Sequence, residues 1–105
     1  MTVRTHVPTG APIWIDIFSS DVARTEAFYG ALFGWEVDRS RSEEFGGYRN
    51  FTKDGHLIAG CMGNDGSGAP DMWSVYLQTD DAARTAEAVA AHGGTVFVPP
   101  MPVGD

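Results

Sequence analysis

Two stretches of this chain repeat each other at a spacing of 60 residues. Asp21–Thr25 reads DVART, and Asp81–Thr85 reads DAART. The agreement extends to a later glycine, Gly34 over Gly94, and to strand-like segments before and after both stretches. Self-similarity of several elements in order indicates a duplicated structural unit. The alternative is a chance likeness between two capped helices, because the residues involved are common at such positions.

The first copy predicts a strand, a helix and three further strands. Isoleucines at every second position indicate a strand over Ile13–Phe18, with one buried face. Capping side chains at Ser19–Asp21 precede a helix predicted over Val22–Phe33, and Gly34 stands where a helix commonly ends. Three more strands are predicted, the last two joined by the hairpin signal Asp54-Gly55: Trp35–Arg39, Tyr48–Lys53 and His56–Met62.

The second copy predicts fewer elements. A strand over Met72–Thr79 leads to an alanine-rich helix from Ala82 to about His92, and a short strand follows at Thr95–Val98. At the same offset the unit would continue to about residue 122, so we expect two strands to be missing. The predicted fold class is α+β, a βαβββ module followed by a shortened βαβ module. A ferredoxin-like βαββαβ domain is the alternative, although it leaves one strand surplus.

The domain boundaries follow from these elements and from local composition. Residues 1–12 form a polar lead-in with Pro8, Gly10 and Pro12, which predicts flexibility. The remaining boundaries are the first module at 13–63, a Gly/Ser/Asp linker at 64–71 and the incomplete second module at 72–105.

Composition excludes several classes of function. The formal net charge of −7 disfavours a nucleic-acid partner, because surfaces that bind phosphate backbones are basic. The chain has neither an apolar stretch of 18 residues nor a signal-peptide pattern, so we expect a cytoplasmic protein without a membrane partner. Cys61 is the only cysteine, which rules out an internal disulfide, and a small buried side chain is its favoured role.

Three segments resemble the vicinal oxygen chelate superfamily, which includes glyoxalases, bleomycin-resistance proteins and extradiol dioxygenases. They are PIWIDIFSSDVARTEAFYGALFGWEV, HLIAGCMG and MWSVYLQTDDAARTAEAVAAHGGTVFVPPMPVGD, and the likeness is to the glyoxalase-like subgroup of actinobacteria. The resemblance implies two βαβββ modules that pair into a curved sheet around a cavity. It also implies two further strands beyond Asp105. Unpaired strand edges recruit other chains, so we expect a homodimer.

Metal-using members of that superfamily carry a His or Gln on the first strand, an equivalent His in the second module and carboxylates on each final strand. Here the corresponding positions are Trp14 and Ser74, and the first module ends in Gly60–Gly63 without a carboxylate. We therefore predict no metal ligands and no cofactor within this chain, although a divalent metal remains the cofactor that the resemblance would imply.

Strand alternation predicts which side chains line the cavity. If Ile13, Ile15 and Ile17 pack on the helix, and Val75 and Leu77 pack inward in the second module, the opposite faces form a pocket with aromatic and polar groups. Its residues would be Trp14, Asp16, Ser74, Tyr76 and Gln78. For the two aromatic residues the alternative is ordinary interface packing, and for Asp16 it is simple solvent exposure.

Three functions are consistent with this sequence. The leading one is a glyoxalase-like domain that binds a small organic molecule without its own metal. The second is a metal-dependent lyase, isomerase or dioxygenase whose site is completed by a dimer partner or by further strands. The third is a drug-sequestering resistance protein. Catalytic residues are not assigned.

Overall fold

The computed structural model describes residues 4–40, 42–44 and 46–101. It contains five strands and two helices, which confirms the α+β class. The elements in chain order are β1 (Pro12–Ser19), α1 (Val22–Phe33), β2 (Glu36–Asp38), β3 (Arg49–Lys53), β4 (His56–Gly63), β5 (Met72–Leu77) and α2 (Ala82–Ala91). The chain divides into two compact units, residues 12–76 and a second one formed by residues 1–11 with 77–105.

The five strands form one sheet in the order β2-β3-β4-β1-β5. Strand β1 runs parallel to β4, because α1 and the two strands after it carry the chain across the sheet between them. The pairs β2–β3 and β3–β4 are antiparallel. The turn between β3 and β4 has positive φ angles at both central residues, 51° at Asp54 and 80° at Gly55, as the Asp-Gly signal predicts.

The core lies on one face of this sheet. Phe51, Ala59 and Cys61 are fully buried there. The half-buried side chains packed against them include Ile15, Ile17, Val22, Tyr29, Trp35, Val37, Ile58 and Trp73. Tyr29 of α1 is central, since its ring contacts those of Trp35 and Phe51 at centroid distances of 5.2 and 6.0 Å, and its hydroxyl accepts a hydrogen bond from the Trp73 indole at 3.0 Å.

A buried ion pair also joins α1 to the sheet. The side chain of Glu26 is only 9% exposed, and its carboxylate accepts hydrogen bonds from Arg39 and Arg49. Arg49 is 21% exposed and Arg39 is 57% exposed. Burial of a carboxylate is tolerated only when it is paired in this way, and the less exposed arginine experiences less solvent screening.

The corner between strand and helix has the same hydrogen bonds in both copies of the repeat. In the first copy the Asp21 carboxylate accepts from the Arg24 backbone N–H at 3.1 Å, and the hydroxyls of Ser19 and Thr25 are 2.7 Å apart. The equivalent distances in the second copy are 3.0 and 2.6 Å, among Asp81, Arg84, Thr79 and Thr85. The structure therefore supports a repeat of three-dimensional contacts as well as of sequence.

The repeat is less exact where the helices end. Gly34 has a φ angle of 72°, but the glycine with the matching left-handed backbone in the second copy is Gly93, at 88°. Helix α2 stops at Ala91, two residues before the position that matches Phe33 at the end of α1. Gly34 and Gly94 therefore match in sequence, whereas the left-handed residue lies one position earlier in the second copy.

Two predictions for the second copy were wrong. Thr95–Val98 forms no strand, and Phe97 within it is 91% exposed. A strand requires a neighbour to accept its hydrogen bonds, and within the described residues this segment has none. Val75 and Leu77 are 60% and 61% exposed rather than packed inward. Alternation predicts the sheet face to which a side chain of this edge strand points, but it does not predict whether another element covers that face. Among the described residues, neither helix has the length and apolar content that a membrane span requires.

We expect Glu26→Gln to destabilise the protein by about 2 kcal/mol, because it leaves the half-buried Arg49 without a counter-charge. Arg39→Ala is the control and should cost less than about 1 kcal/mol, because that arginine is mostly exposed. Urea unfolding of the purified variants measures both values. Equal losses for the two variants would contradict this account of the ion pair.

Candidate functional site

The sheet face opposite the core carries a group of aromatic and acidic side chains. Ile15 and Ile17 pack against the core, so Trp14 and Asp16, which alternate with them on β1, project from the other side. Tyr48 and Tyr76 reach the same place, from the start of β3 and from β5. We call this surface the Asp16 face, defined by Trp14, Asp16, Tyr48 and Tyr76.

These four side chains form one hydrogen-bonded network. The Trp14 indole Nε1 donates to the Tyr48 hydroxyl at 2.7 Å, and that hydroxyl donates to Asp16 Oδ2 at 3.1 Å. The Tyr76 hydroxyl donates to the same Oδ2 atom at 3.0 Å. Trp14, Asp16 and Tyr48 are half-buried, and Tyr76 is 47% exposed. The network is therefore ordered by its own contacts and yet remains accessible to a ligand.

Tyr48 fits into the network because Gly60 has no side chain. Gly60 pairs with Asp16 across β1 and β4, and a Cβ placed on it would lie 1.6 Å from the Tyr48 hydroxyl oxygen. The absence of a methyl group there lets the Tyr48 phenol lie over β4 and reach Asp16. The sequence prediction missed Tyr48. A glycine inside a strand was the available signal, since it often marks the close approach of another group.

The other two predicted pocket residues do not join the network. Ser74 is half-buried on β5, and its hydroxyl makes no hydrogen bond to the residues that the structure describes. Gln78 belongs to the other compact unit, where its backbone bonds to Gly10 and Ala11, each at 2.8 Å. Of the five predicted residues, the structure thus brings together Trp14, Asp16 and Tyr76.

Both tyrosines of the network are held in the protonated form. Burial raises the pKa of Tyr48 well above its usual value of 10, and the adjacent Asp16 adds to the shift while the Trp14 hydrogen bond opposes it. Burial and the hydrogen bond to Asp16 also raise the pKa of Tyr76. At neutral pH both tyrosines of the Asp16 face are therefore phenols that donate to Asp16, and neither is a phenolate.

A separate cavity of about 330 Å³ lies on the opposite face of the sheet, beside the first turn of α1. Its walls include Ile17, Arg24, Phe28, Tyr29 and Asp71. The Asp71 carboxylate is already engaged, accepting from the Ser20 backbone and hydroxyl at 3.0 and 2.6 Å, which lowers its pKa. None of the residues predicted for the pocket borders this cavity.

Cys61 lies in the core, apart from the residues that line the cavity. Its thiol is buried, and burial raises its pKa to about 11 from an ordinary value of 9. Such a thiol is protonated at neutral pH and is a poor nucleophile. The structure therefore agrees with a packing role.

The metal that the superfamily resemblance implies does not fit the side chains at the expected positions. The Trp14 indole nitrogen carries a hydrogen that it donates to Tyr48, so it has no lone pair for a metal. Within residues 4–40, 42–44 and 46–101, no three His, Cys, Asp or Glu side chains come together as a ligand set. The Asp16 face supplies a single carboxylate, which does not make a stable site.

A comparison with known proteins relates this arrangement to a family. The sequence profile of the Glyoxalase/Bleomycin resistance protein/Dioxygenase superfamily matches residues 12–105. The chain belongs to this superfamily. That membership agrees with the β1–α1–β2–β3–β4 module and with the repeated strand–helix corner at residues 79–85.

The chain is also similar in sequence to curated proteins of two kinds. The chain is 38% identical to "Anthracycline biosynthesis protein DnrV" of Streptomyces peucetius, over 94% of this chain and 41% of the relative. It is 30% identical to "Putative glyoxylase CFP32" of Mycobacterium tuberculosis (strain CDC 1551 / Oshkosh), over 100% of this chain and 42% of the relative. The chain thus spans about two-fifths of the length of the curated relatives it matches.

We expect Gly60→Ala to displace Tyr48, because the added methyl group would overlap its hydroxyl. The loss of stability should be about 1–3 kcal/mol, and the Trp14 indole N–H resonance should shift as its hydrogen bond breaks. Gly63→Ala on the same strand is the control, since its Cβ would meet Val22 at an ordinary 3.8 Å. Urea unfolding and ¹H–¹⁵N spectra measure the two effects, and an unshifted indole resonance in Gly60→Ala would contradict the assigned contact.

We expect stability to fall as the pH rises above about 9. The folded chain keeps the Cys61 proton up to a pKa of about 11 and the Tyr48 proton to a higher pH still, whereas the unfolded chain releases them near 9 and 10. The unfolded state then binds fewer protons, so the free energy of unfolding decreases with pH. The urea midpoint between pH 8 and 11 should fall less steeply in Cys61→Ala and, above pH 10, in Tyr48→Phe. Parallel curves for all three proteins would refute this assignment.

Proposed function

We propose that this domain binds a small organic molecule on the Asp16 face, without a metal of its own. The observation that carries the proposal is the convergence of Trp14, Tyr48 and Tyr76 on one carboxylate. Aromatic surface supplies most of the binding energy in such sites, and a few fixed polar groups orient the ligand. The hydrogen bonds of the network hold these groups in place before a ligand arrives, which reduces the entropy lost on binding.

The relatives suggest which molecule to test first. Two of them, 38% and 37% identical to this chain, are named for anthracycline biosynthesis. An anthracycline offers a planar apolar body for the aromatic side chains and polar substituents for Asp16 and the tyrosine hydroxyls. Binding without turnover would correspond to a sequestering role, and turnover would correspond to catalysis.

The relative named as a glyoxylase favours a second candidate, a metal-dependent lyase, isomerase or dioxygenase. Its ligand set would have to come from residues outside this chain or from a second copy. The position of Trp14 argues against it, because the indole cannot ligate. Metal analysis of the purified protein separates the two candidates: stoichiometric Fe, Mn, Ni or Zn would overturn the metal-free proposal.

We expect doxorubicin to bind this chain, and Tyr76→Ala to weaken the binding about fivefold or more through loss of aromatic contact. Phe28→Ala is the matched control, because Phe28 is an aromatic residue of similar exposure (56% against 47% for Tyr76) beside the cavity on the other face of the sheet. It should change the dissociation constant less than about twofold. Quenching of the ligand's fluorescence provides the measurement. If Phe28→Ala weakens binding and Tyr76→Ala does not, the ligand occupies the other cavity and the proposal fails.

A further inference from the structure

The charged side chains of the five strands are divided by sign between the two sheet faces. Arg49 and Lys53 of β3 lie on the core side, where they bond to Glu26 and to the Phe33 carbonyl oxygen. His56 pairs directly with Lys53 and therefore lies on the same side. The basic groups of the sheet are thus all on the side of α1.

The acidic side chains of the strands lie on the other side. On β2, Glu36 and Asp38 alternate with Val37, which packs against the core, so both project from the side of the sheet opposite the core. Strands β1 and β5 contribute one charged residue between them, which is Asp16. The five strands therefore contribute only negative charge to the surface that includes the proposed ligand site, in a chain whose net charge is already −7.

The Asp16 carboxylate has capacity for one more strong contact. Both tyrosine hydroxyls donate to Oδ2, and no hydrogen bond to Oδ1 comes from the residues that the structure describes. Within that part of the chain no fully buried side-chain oxygen lacks a partner, so Oδ1 of the half-buried Asp16 keeps some contact with solvent. An ionised carboxylate only accepts hydrogen bonds, and neutral phenols do not cancel its charge.

From these observations we propose that the Asp16 face selects ligands that carry a protonated amine, with the ammonium group bound to Asp16 Oδ1. This inference rests on the function proposed above and adds the chemical class of the ligand. A carbonyl or carboxylate at the same position would meet like partial charges, whereas an ammonium donates to Oδ1 and is also attracted to neighbouring aromatic rings. Anionic ligands would be repelled by Asp16, Glu36 and Asp38 together.

Three probes that differ in one group test the inference: 2-naphthylmethylammonium, 2-naphthylmethanol and 2-naphthoate. We expect the ammonium to bind the full chain about tenfold more tightly than the alcohol, and the carboxylate to bind most weakly. Titrations followed by ¹H–¹⁵N spectra give the dissociation constants, and the Trp14 indole resonance reports binding at the Asp16 face. Equal affinity for the ammonium and the alcohol would overturn the inference.

Asp16→Asn is the variant that locates the effect, because the amide oxygen still accepts from both tyrosines. We expect it to lose the preference for the ammonium over the alcohol. Glu36→Gln, on the same face but three strands away, should keep the preference within about twofold. An unchanged preference in Asp16→Asn would overturn the inference. If all three probes bind equally, only the amine selectivity fails; if neither they nor doxorubicin bind, the proposed function fails as well.

Discussion

The parallel pairing of β1 with β4 is the contact on which the rest of the structure depends. Its register places Asp16 opposite Gly60 and Ile17 opposite Cys61. Because side chains alternate along each strand, this register places Ile17 and Cys61 in the core. Asp16 lies on the other face, beside Gly60, which has no side chain. A shift of one residue would turn one of the two strands over. It would either bury Asp16 or put the Cys61 thiol on the face where the Tyr48 ring now lies.

Few side chains of helix α1 pack against this sheet. Only Tyr29 and Val22 of its apolar side chains are substantially covered, while Phe28, Leu32 and Phe33 are about half exposed. The Tyr29 ring and the Glu26 ion pair are therefore the main contacts that hold the helix against the sheet. One is an aromatic contact and the other is electrostatic, and they lie three residues apart on neighbouring turns.

Local signals in the sequence predicted the elements well because each element is defined by a few neighbouring residues. Caps at Asp21 and Gly34 defined α1, and Asp54-Gly55 defined the hairpin. Alternation also predicted that Trp14 and Asp16 share a face. What could not be predicted depends on contacts between distant residues. Tyr48 reaches Asp16 only through the pairings of β3 with β4 and of β4 with β1. The segment after α2 has no strand to pair with among the residues that the structure describes.

The alternation at Ala59-Gly60-Cys61 links the packing of the core to the position of the Tyr48 ring on the other face. Two of these three neighbours complete the core, and the one between them leaves room for the Tyr48 ring. Substitutions in this stretch of β4 would alter the core and the Asp16 face at once, so it offers little freedom for change. Tyr76 of β5 belongs to the same Asp16 face but lies on an edge strand of the sheet. In a superfamily whose members act on different molecules, new specificity would be expected to arise at the edge strand while the centre of the sheet stays constant.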